Sequence, residues 1–355
     1  MPPDRPLDRA LDVLIVSLGS TAGLRKADEE LRDSLTRAGA RVEISRAATP
    51  SPTRTLMLTD LAWARAARAA ASRALAQQRS QPRAIVYSST TAALLWPRPG
   101  AIRFDAPSAG NRPGRHGLWQ RPLERRRLEQ APLLLPWSRG GLAEAPGAAR
   151  RGNRALVLPV SVEPSGPPEP VRDITAITYA ANPVKKGLDR VLAAWRRVRE
   201  DGSQPTGGGT GELVVAGAAA GDLEEAGLPA GEDGVRVVGP LPHDEYRALL
   251  RRARLFVCAP RREDYGIAQL EALADGCLLV TTPAPGPYAA LSIVRELDAR
   301  LVSDDLEGAL RVALNDPHPG YTARAREALA PFARKAIDRA VVDQVLPRLL
   351  DYEAT

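Results

Sequence analysis

An α/β architecture of two domains, each built on a parallel sheet, is expected from three observations on this 355-residue chain. Short apolar runs of strand length alternate with longer stretches of helical periodicity, the pattern of successive βαβ units. A proline-rich segment, Glu163-Pro164-Ser165-Gly166-Pro167-Pro168-Glu169-Pro170, breaks that alternation near the middle and cannot form a regular element. The same segment divides two charge regimes: 26 Lys+Arg against 14 Asp+Glu through Ser165, net +12, and 23 against 28 beyond it, net −5. Domains are therefore placed at residues 1–162 and 173–330, with a linker over 163–172 and a terminal helical region over 331–355. A hydrophobic content of 44% lets each half bury a core.

The first half opens with the strand Val13-Leu14-Ile15-Val16, a glycine turn at Gly19-Ser20-Thr21-Ala22-Gly23, a helix from Asp28 to Ala38 and a returning strand Arg41-Val42-Glu43-Ile44. An alanine-rich helix from Leu61 to Gln78 leads to the strand Ala84-Ile85-Val86-Tyr87 and a small-residue turn at Ser88-Ser89-Thr90-Thr91. Ala101 to Asp105 and Leu133 to Pro136 read as further strands, separated by a polar loop, Gly110-Asn111-Arg112-Pro113-Gly114-Arg115-His116-Gly117, and a basic helix around Glu124 to Gln130.

The second half repeats the logic. Strands are expected at Ile174 to Tyr179, Leu213 to Gly217, Val235 to Gly239, Leu255 to Ala259 and Cys277 to Thr282, and helices at Asp189 to Arg199, His243 to Arg252 and Ile267 to Ala274. Ser203 to Gly211 reads as a mobile loop, and a last helical region from Thr322 to Tyr352 is interrupted near Pro331.

Composition narrows the function classes. The N-terminal stretch Met1-Pro2-Pro3-Asp4-Arg5-Pro6 has no apolar core of signal-peptide length, and no apolar run approaches the ~20 residues a membrane helix needs. Both cysteines, Cys258 and Cys277, fall in expected buried strands and read as small hydrophobes in a reducing cytoplasm. The basic first half suits an anionic partner: a phosphorylated acceptor, or the inner membrane face as a peripheral contact. No zinc-finger, RRM or KH signature accompanies it, which argues against nucleic acid. The G-x-G-x-x-G pattern is absent, which argues against a dehydrogenase.

The stretch Glu263-Asp264-Tyr265-Gly266-Ile267-Ala268-Gln269-Leu270-Glu271 carries the chemistry. It places two carboxylates around a strand-to-helix turn, Glu263 in the loop and Glu271 inside the helix. Gly266 lets backbone approach a ligand, and the N–H groups of the first helical turn offer a phosphate site. Carboxylates flanking such a turn can accept hydrogen bonds from sugar hydroxyls.

This stretch, followed by Asp275-Gly276 and another apolar strand, resembles the E-x7-E motif of retaining GT-B glycosyltransferases of family 4. The resemblance implies two Rossmann-like domains facing across a cleft, a terminal helix crossing back to the first domain, and transfer of sugar from a nucleoside diphosphate sugar to an acceptor hydroxyl. It also implies that Glu263 contacts the donor sugar and Glu271 the ribose, with Asp264, Tyr265, Gly266 and Ile267 between them. Lys185-Lys186-Gly187, between a strand and a helix, looks like the Lys-Gly element aimed at the donor diphosphate, where a leaving diphosphate needs fixed cations. Gly19 and Gly23 match a glycine loop set against the donor, and Gly239-Pro240 a loop packing on the nucleotide base. Near donor sugar and acceptor the family places a His. Asp105 matches its position and His116 its chemistry, and Asp105 is preferred for orienting the acceptor. No Asp-x-Asp motif appears at a strand end, so metal-independent transfer without a cofactor is implied.

Two departures stand out. Where the family usually has an Arg five residues before the Lys, this chain has Ala181, and Arg25, Lys26, Lys185 or Arg190 would have to substitute. A usual Gly-Gly with a nearby Glu becomes Pro285-Gly286 and Ala289. They motivate an alternative reading, a non-catalytic GT-B-like protein that binds a sugar nucleotide or polyanion. An epimerase or phosphorylase on the same architecture is a further reading.

Overall fold

The computed structural model describes residues 10–51, 53–78, 80–112, 114–167, 169, 171–200 and 211–351, and within these ten strands form two five-stranded sheets, parallel throughout. Two compact units result: Met1–Ser161 with Arg334–Thr355, and Val162–Ala333. The glycine-rich positions 203–210, the first six residues, Pro113, Pro168, Pro170 and Tyr352, on which parts of the sequence reading fall, lie outside the described residues.

In the first unit β1 (Val13–Ser17), β2 (Val42–Arg46), β3 (Ala84–Tyr87), β4 (Ala101–Phe104) and β5 (Leu134–Pro136) are ordered β2-β1-β3-β4-β5. Strand alternation splits the apolar residues between two layers. Leu14 and Val16 pack with Ala67 and Ala71 of the helix Leu56–Gln77, whereas Val13 and Ile15 pack with Leu31 and Leu35 of the helix Ala22–Arg37. The terminal segment, the helices Arg334–Ala340 and Leu346–Leu350 joined by a π turn at Val341–Val345, buries Ile337, Val341, Val345 and Leu349 in that second layer. Its entry is preceded by a 3-10 turn at Ala330–Phe332, where Pro331 supplies the break.

Several expected boundaries move, each through a side-chain cap. Thr21 accepts from Leu24 N at 3.2 Å and starts its helix at Ala22, well before Asp28, so Gly23 lies in the first helical turn and not in a glycine turn. Thr55 starts the next helix at Leu56 instead of Leu61, and Ser89 converts the expected turn at Ser88 to Thr91 into a short helix, Thr90–Ala93. The loop from Gly110 to Gly117 contains the end of a short helix, Ser108–Asn111, and a 3-10 turn at Gly114–Gly117.

In the second unit β6 (Ile174–Tyr179), β7 (Leu213–Ala216), β8 (Val235–Gly239), β9 (Ala253–Cys258) and β10 (Leu278–Thr281) are ordered β10-β9-β6-β7-β8. Adjacent central strands β6 and β9 therefore bring their carboxyl-end loops, 180–187 and 259–266, side by side. The proline-rich segment is anchored to this unit: Ser165 N and Oγ donate to Asp275 Oδ1 at 2.8 and 3.0 Å, and Arg247 Nη2 donates to the carbonyl of Glu163 at 2.8 Å. Both cysteines are buried thiols, and burial pushes Cys277 up to about 12.

Candidate functional site

The loop after β6 is a tight turn built by its own sequence. Asn182 Oδ1 accepts from Lys185 N at 2.8 Å, three residues on as in a side-chain cap, and Asn182 O accepts from Lys186 N at 2.9 Å. Gly187 has φ +62°, and a Cβ there would overlap the carbonyl oxygen of Ala259, at the end of β9. Only glycine allows the two loops to meet this closely. They are also stitched by Arg261 N donating to Lys185 O at 3.0 Å.

The loop after β9 is fixed from the other side. Glu263 N donates to Pro285 O at 3.0 Å, and Ala289 N to Tyr265 O at 3.0 Å. Gly286, φ +110°, sits so close that a Cβ would overlap the carbonyl of Glu263. The carbonyl of Pro285 and the missing side chain of Gly286 thus set the backbone of Glu263, contacts that a Gly-Gly pair would keep. Gly266, φ +87°, precedes the helix Ile267–Ala274, and a Cβ there would lie 2.8 Å from the ring of buried Tyr288.

These loops bring Lys186 and Glu263 together. Lys186 Nζ donates to Glu263 Oε2 at 2.6 Å, and the same oxygen accepts from Gln269 Nε2 at 3.1 Å. Glu263 is 6% exposed, while the Lys186 side chain keeps 22%, so the carboxylate is sunk and the ammonium reaches the surface. Beside them Asp264 accepts from Arg262 Nε at 2.8 Å, and Lys185 Nζ stands 3.6 Å from its other oxygen. Lys185, Lys186, Arg261 and Arg262 give this loop pair four cations, of which Arg261 pairs with Asp189 at 2.9 Å. Ala181 is exposed at its rim, and Arg190 lies exposed in the following helix.

Glu271 is buried one helical turn away, 4% exposed. His243 Nε2 donates to its Oε1 at 2.8 Å and Arg247 Nη1 lies 3.5 Å from the same oxygen. Arg247 Nε donates in turn to Asp275 Oδ2 at 2.6 Å. His243 was expected only as a residue of the helix start. It is the first residue of the helix His243–Arg252, delivered to Glu271 by the turn that follows the last residue of β8, Gly239, φ +74°, and begins with exposed Pro240.

Remaining site residues belong to the first unit. Gly19, φ +54°, follows β1, and its carbonyl accepts from Arg25 Nη1 at 2.8 Å. Asp105 ends β4 with Oδ1 accepting from Ala106 N at 2.7 Å, and His116 is exposed in its 3-10 turn. The same unit buries a polar cluster that sequence reasoning passed over: Ser17 Oγ donates to Asp28 Oδ2 at 2.5 Å, and Arg103 Nη1 lies 3.8 Å from Asp28. Burial pushes the Asp28 carboxyl above the usual range, partly offset by Arg103.

Sequence reasoning also missed Arg262, Gln269 and His243. Gln269 carried a usable signal, since the third residue of a helix can face back to the loop before its N-terminus. Arg262 pairs with Asp264 two residues on, within reach of a reading along the chain, whereas His243 carried no signal, because its partner Glu271 lies on another element and strand order sets their meeting.

Residues 173–316, the segment holding Lys186, Glu263 and Glu271, match the family model described as glycosyl transferases group 1. No curated protein matches the chain by sequence. Sucrose-phosphate synthase from Thermosynechococcus elongatus superposes with TM-score 0.72 at 16% identity, covering 96% of this chain and 99% of that one. WaaG, a glycosyltransferase of lipopolysaccharide biosynthesis, gives 0.62 at 15% identity over 96% and 100%. Anabaena HepE, in complex with UDP and glucose, gives 0.63 at 14% over 95% and 99%. Among the described residues no helix is long and apolar enough to cross a membrane. The chain has the GT-B fold of these glycosyltransferases, and its second unit is the part that matches glycosyl transferases group 1.

Proposed function

We propose that this protein is a retaining glycosyltransferase of the family 4 type, which moves a sugar from a nucleoside diphosphate sugar to an acceptor hydroxyl in the cytoplasm without a divalent metal. The observation that carries the reading is the Lys186–Glu263 pair, 2.6 Å apart at the carboxyl ends of neighbouring strands. Open α/β sheets bind ligands at that edge. A donor entering here exchanges one ion pair for two interactions: Lys186, with Lys185 and Arg262 nearby, faces the diphosphate, and Glu263 is released to the hydroxyls of the sugar. Glu271, braced by His243 and Arg247, faces the ribose.

In the transfer, the bond between the anomeric carbon and the β-phosphate oxygen breaks and a bond from the acceptor oxygen to that carbon forms. The acceptor proton passes to the departing diphosphate. Negative charge grows on the diphosphate as it leaves, and fixed cations already in place stabilise it without reorganising. Asp105 and His116 are the acceptor-side groups of this reading, and an acceptor that is anionic or held at a membrane surface suits the net +12 of the chain through Ser165.

HepE's complex with UDP and glucose makes UDP-sugars the first donors to test. Thermal unfolding is followed against a panel of nucleoside diphosphates and their sugars in EDTA, and every hit is assayed for sugar release and transfer. Stabilisation that Lys186→Ala removes, together with product of retained configuration, is expected. Stabilisation without turnover on any acceptor would move the protein to the non-catalytic binder, and no stabilisation at all would refute the reading.

A further inference from the structure

The first sheet has a concave feature at the edge opposite the strand carboxyl ends. A cavity of about 100 Å³ opens where β3, β4 and β5 begin, lined by Ile85, Gly100, Ala101 and Leu133 and by Leu349 of the terminal helix. Three arginines, Arg83, Arg98 and Arg348, are among the residues that line the same cavity, and no Asp or Glu is. Their protein partners are few. Arg98 Nη1 donates to Pro82 O at 3.1 Å, Arg348 Nη1 to Asn153 O at 3.3 Å, and Arg83 Nη2 to Leu350 O at 3.4 Å. Asp12 lies 3.6 Å from Arg83, and among the described residues neither Arg98 nor Arg348 forms an ion pair. A guanidinium carries five N–H donors in a planar fork, so most donors at this cavity are unused by protein acceptors.

Like charges gathered in one concavity repel, and the apolar lining strengthens every electrostatic interaction there. An anion would relieve the repulsion and use the idle donors, and arginine forks match the oxygens of a phosphate. The volume is well above the ~10–15 Å³ that one water requires, which suits a group of several heavy atoms and not a whole nucleotide. We infer that this cavity is a binding site for a small tetrahedral oxyanion, inorganic phosphate or the phosphate end of a monoester. Bound there, the anion ties Arg83 and Arg98 of the sheet to Arg348 of the terminal segment, and so holds that segment on its unit. The site lies wholly within the first unit and does not depend on the donor reading.

The probe is inorganic phosphate, titrated against chloride at matched ionic strength while thermal unfolding is followed. At ten times the dissociation constant a saturable rise of about 3–6 °C is expected. Arg98→Gln/Arg348→Gln should lose the rise and Lys186→Ala should keep it. A rise absent from the unsubstituted protein, retained in the double variant, or lost in Lys186→Ala would overturn the inference, the last by placing the anion at the donor loops. Hydrogen exchange keeps the test open if the double variant fails to fold. Phosphate should slow exchange at 98–102 and 346–350, and slowing confined to other segments would refute the site.

Discussion

Removing Glu263 and Lys186 singly and together separates a functional ion pair from a structural one. At 2.6 Å their Coulomb attraction is about 6 kcal/mol at an effective dielectric of about 20, before desolvation is subtracted. Glu263 is nearly buried, so desolvation offsets much of that, and a charge-assisted hydrogen bond of this kind nets about 2 kcal/mol. Glu263→Ala leaves Lys186 and the Gln269 amide without their acceptor, and Lys186→Ala leaves a sunken carboxylate with one neutral donor. Each single variant should therefore lose about 2 kcal/mol, or about 4–8 °C in melting temperature for units of this size. The double variant should lose about 2 kcal/mol less than the sum of the singles. Activity should behave differently. Each single variant should lose about a hundredfold or more in kcat/KM, and the double variant should recover none of it, because sugar and diphosphate contacts are both gone. Calorimetry of the four proteins and initial rates with one donor supply the cycle. Additive stabilities within about 0.5 kcal/mol would show that the pair is not coupled. Turnover restored in the double variant would show that it serves only the fold.

Other consequences are equally direct. Gly187→Ala should cost about 2–4 kcal/mol and abolish donor binding, since the residue is at φ +62° and its Cβ would overlap the Ala259 carbonyl; isothermal titration with UDP checks it, and unchanged affinity would contradict the packing of the two loops. Asp275→Ala removes the 2.6 Å partner of buried Arg247, leaving it Glu271 at 3.5 Å and the Glu163 carbonyl, and should lower stability by about 2–4 kcal/mol in chemical denaturation, whereas a loss under about 1 kcal/mol would mean those two partners or water replace the carboxylate. The Arg37 guanidinium beside Asp338 holds that carboxyl below the usual range, so the contribution is present above the ordinary value of about 3.9 and disappears as pH falls through the lower folded value. Asp338→Asn should thus cost about 0.5–1 kcal/mol at pH 7, with the two proteins converging as pH falls below the ordinary carboxylate value and through the lower folded one; a gap independent of pH would refute the assignment.

Local sequence determined the elements wherever apolar runs were short and sharply bounded. Ile174–Tyr179, His243–Arg252 and Ile267–Ala274 occur with the expected bounds, because their periodicity and their flanking Gly, Pro and polar residues agree. Bounds shifted at Ala22–Arg37 and Leu56–Gln77, where a threonine cap outside the apolar pattern decides the start. The E-x7-E spacing and the Lys186-Gly187 turn were likewise legible, since each is a contiguous stretch. Their meeting was not, because 77 residues separate Lys186 from Glu263 and only the placing of β6 beside β9 brings them together. Tertiary structure alone assigned His243 to Glu271, Pro285 to the Glu263 backbone, and Arg348 of the terminal helix to the cavity of Arg83 and Arg98. The physical reason is the range of the information. Capping, periodicity and turn chemistry act over a few residues and can be read along the chain, whereas an ion pair or an anion site depends on which strands are neighbours, and strand order is settled by burial of whole layers.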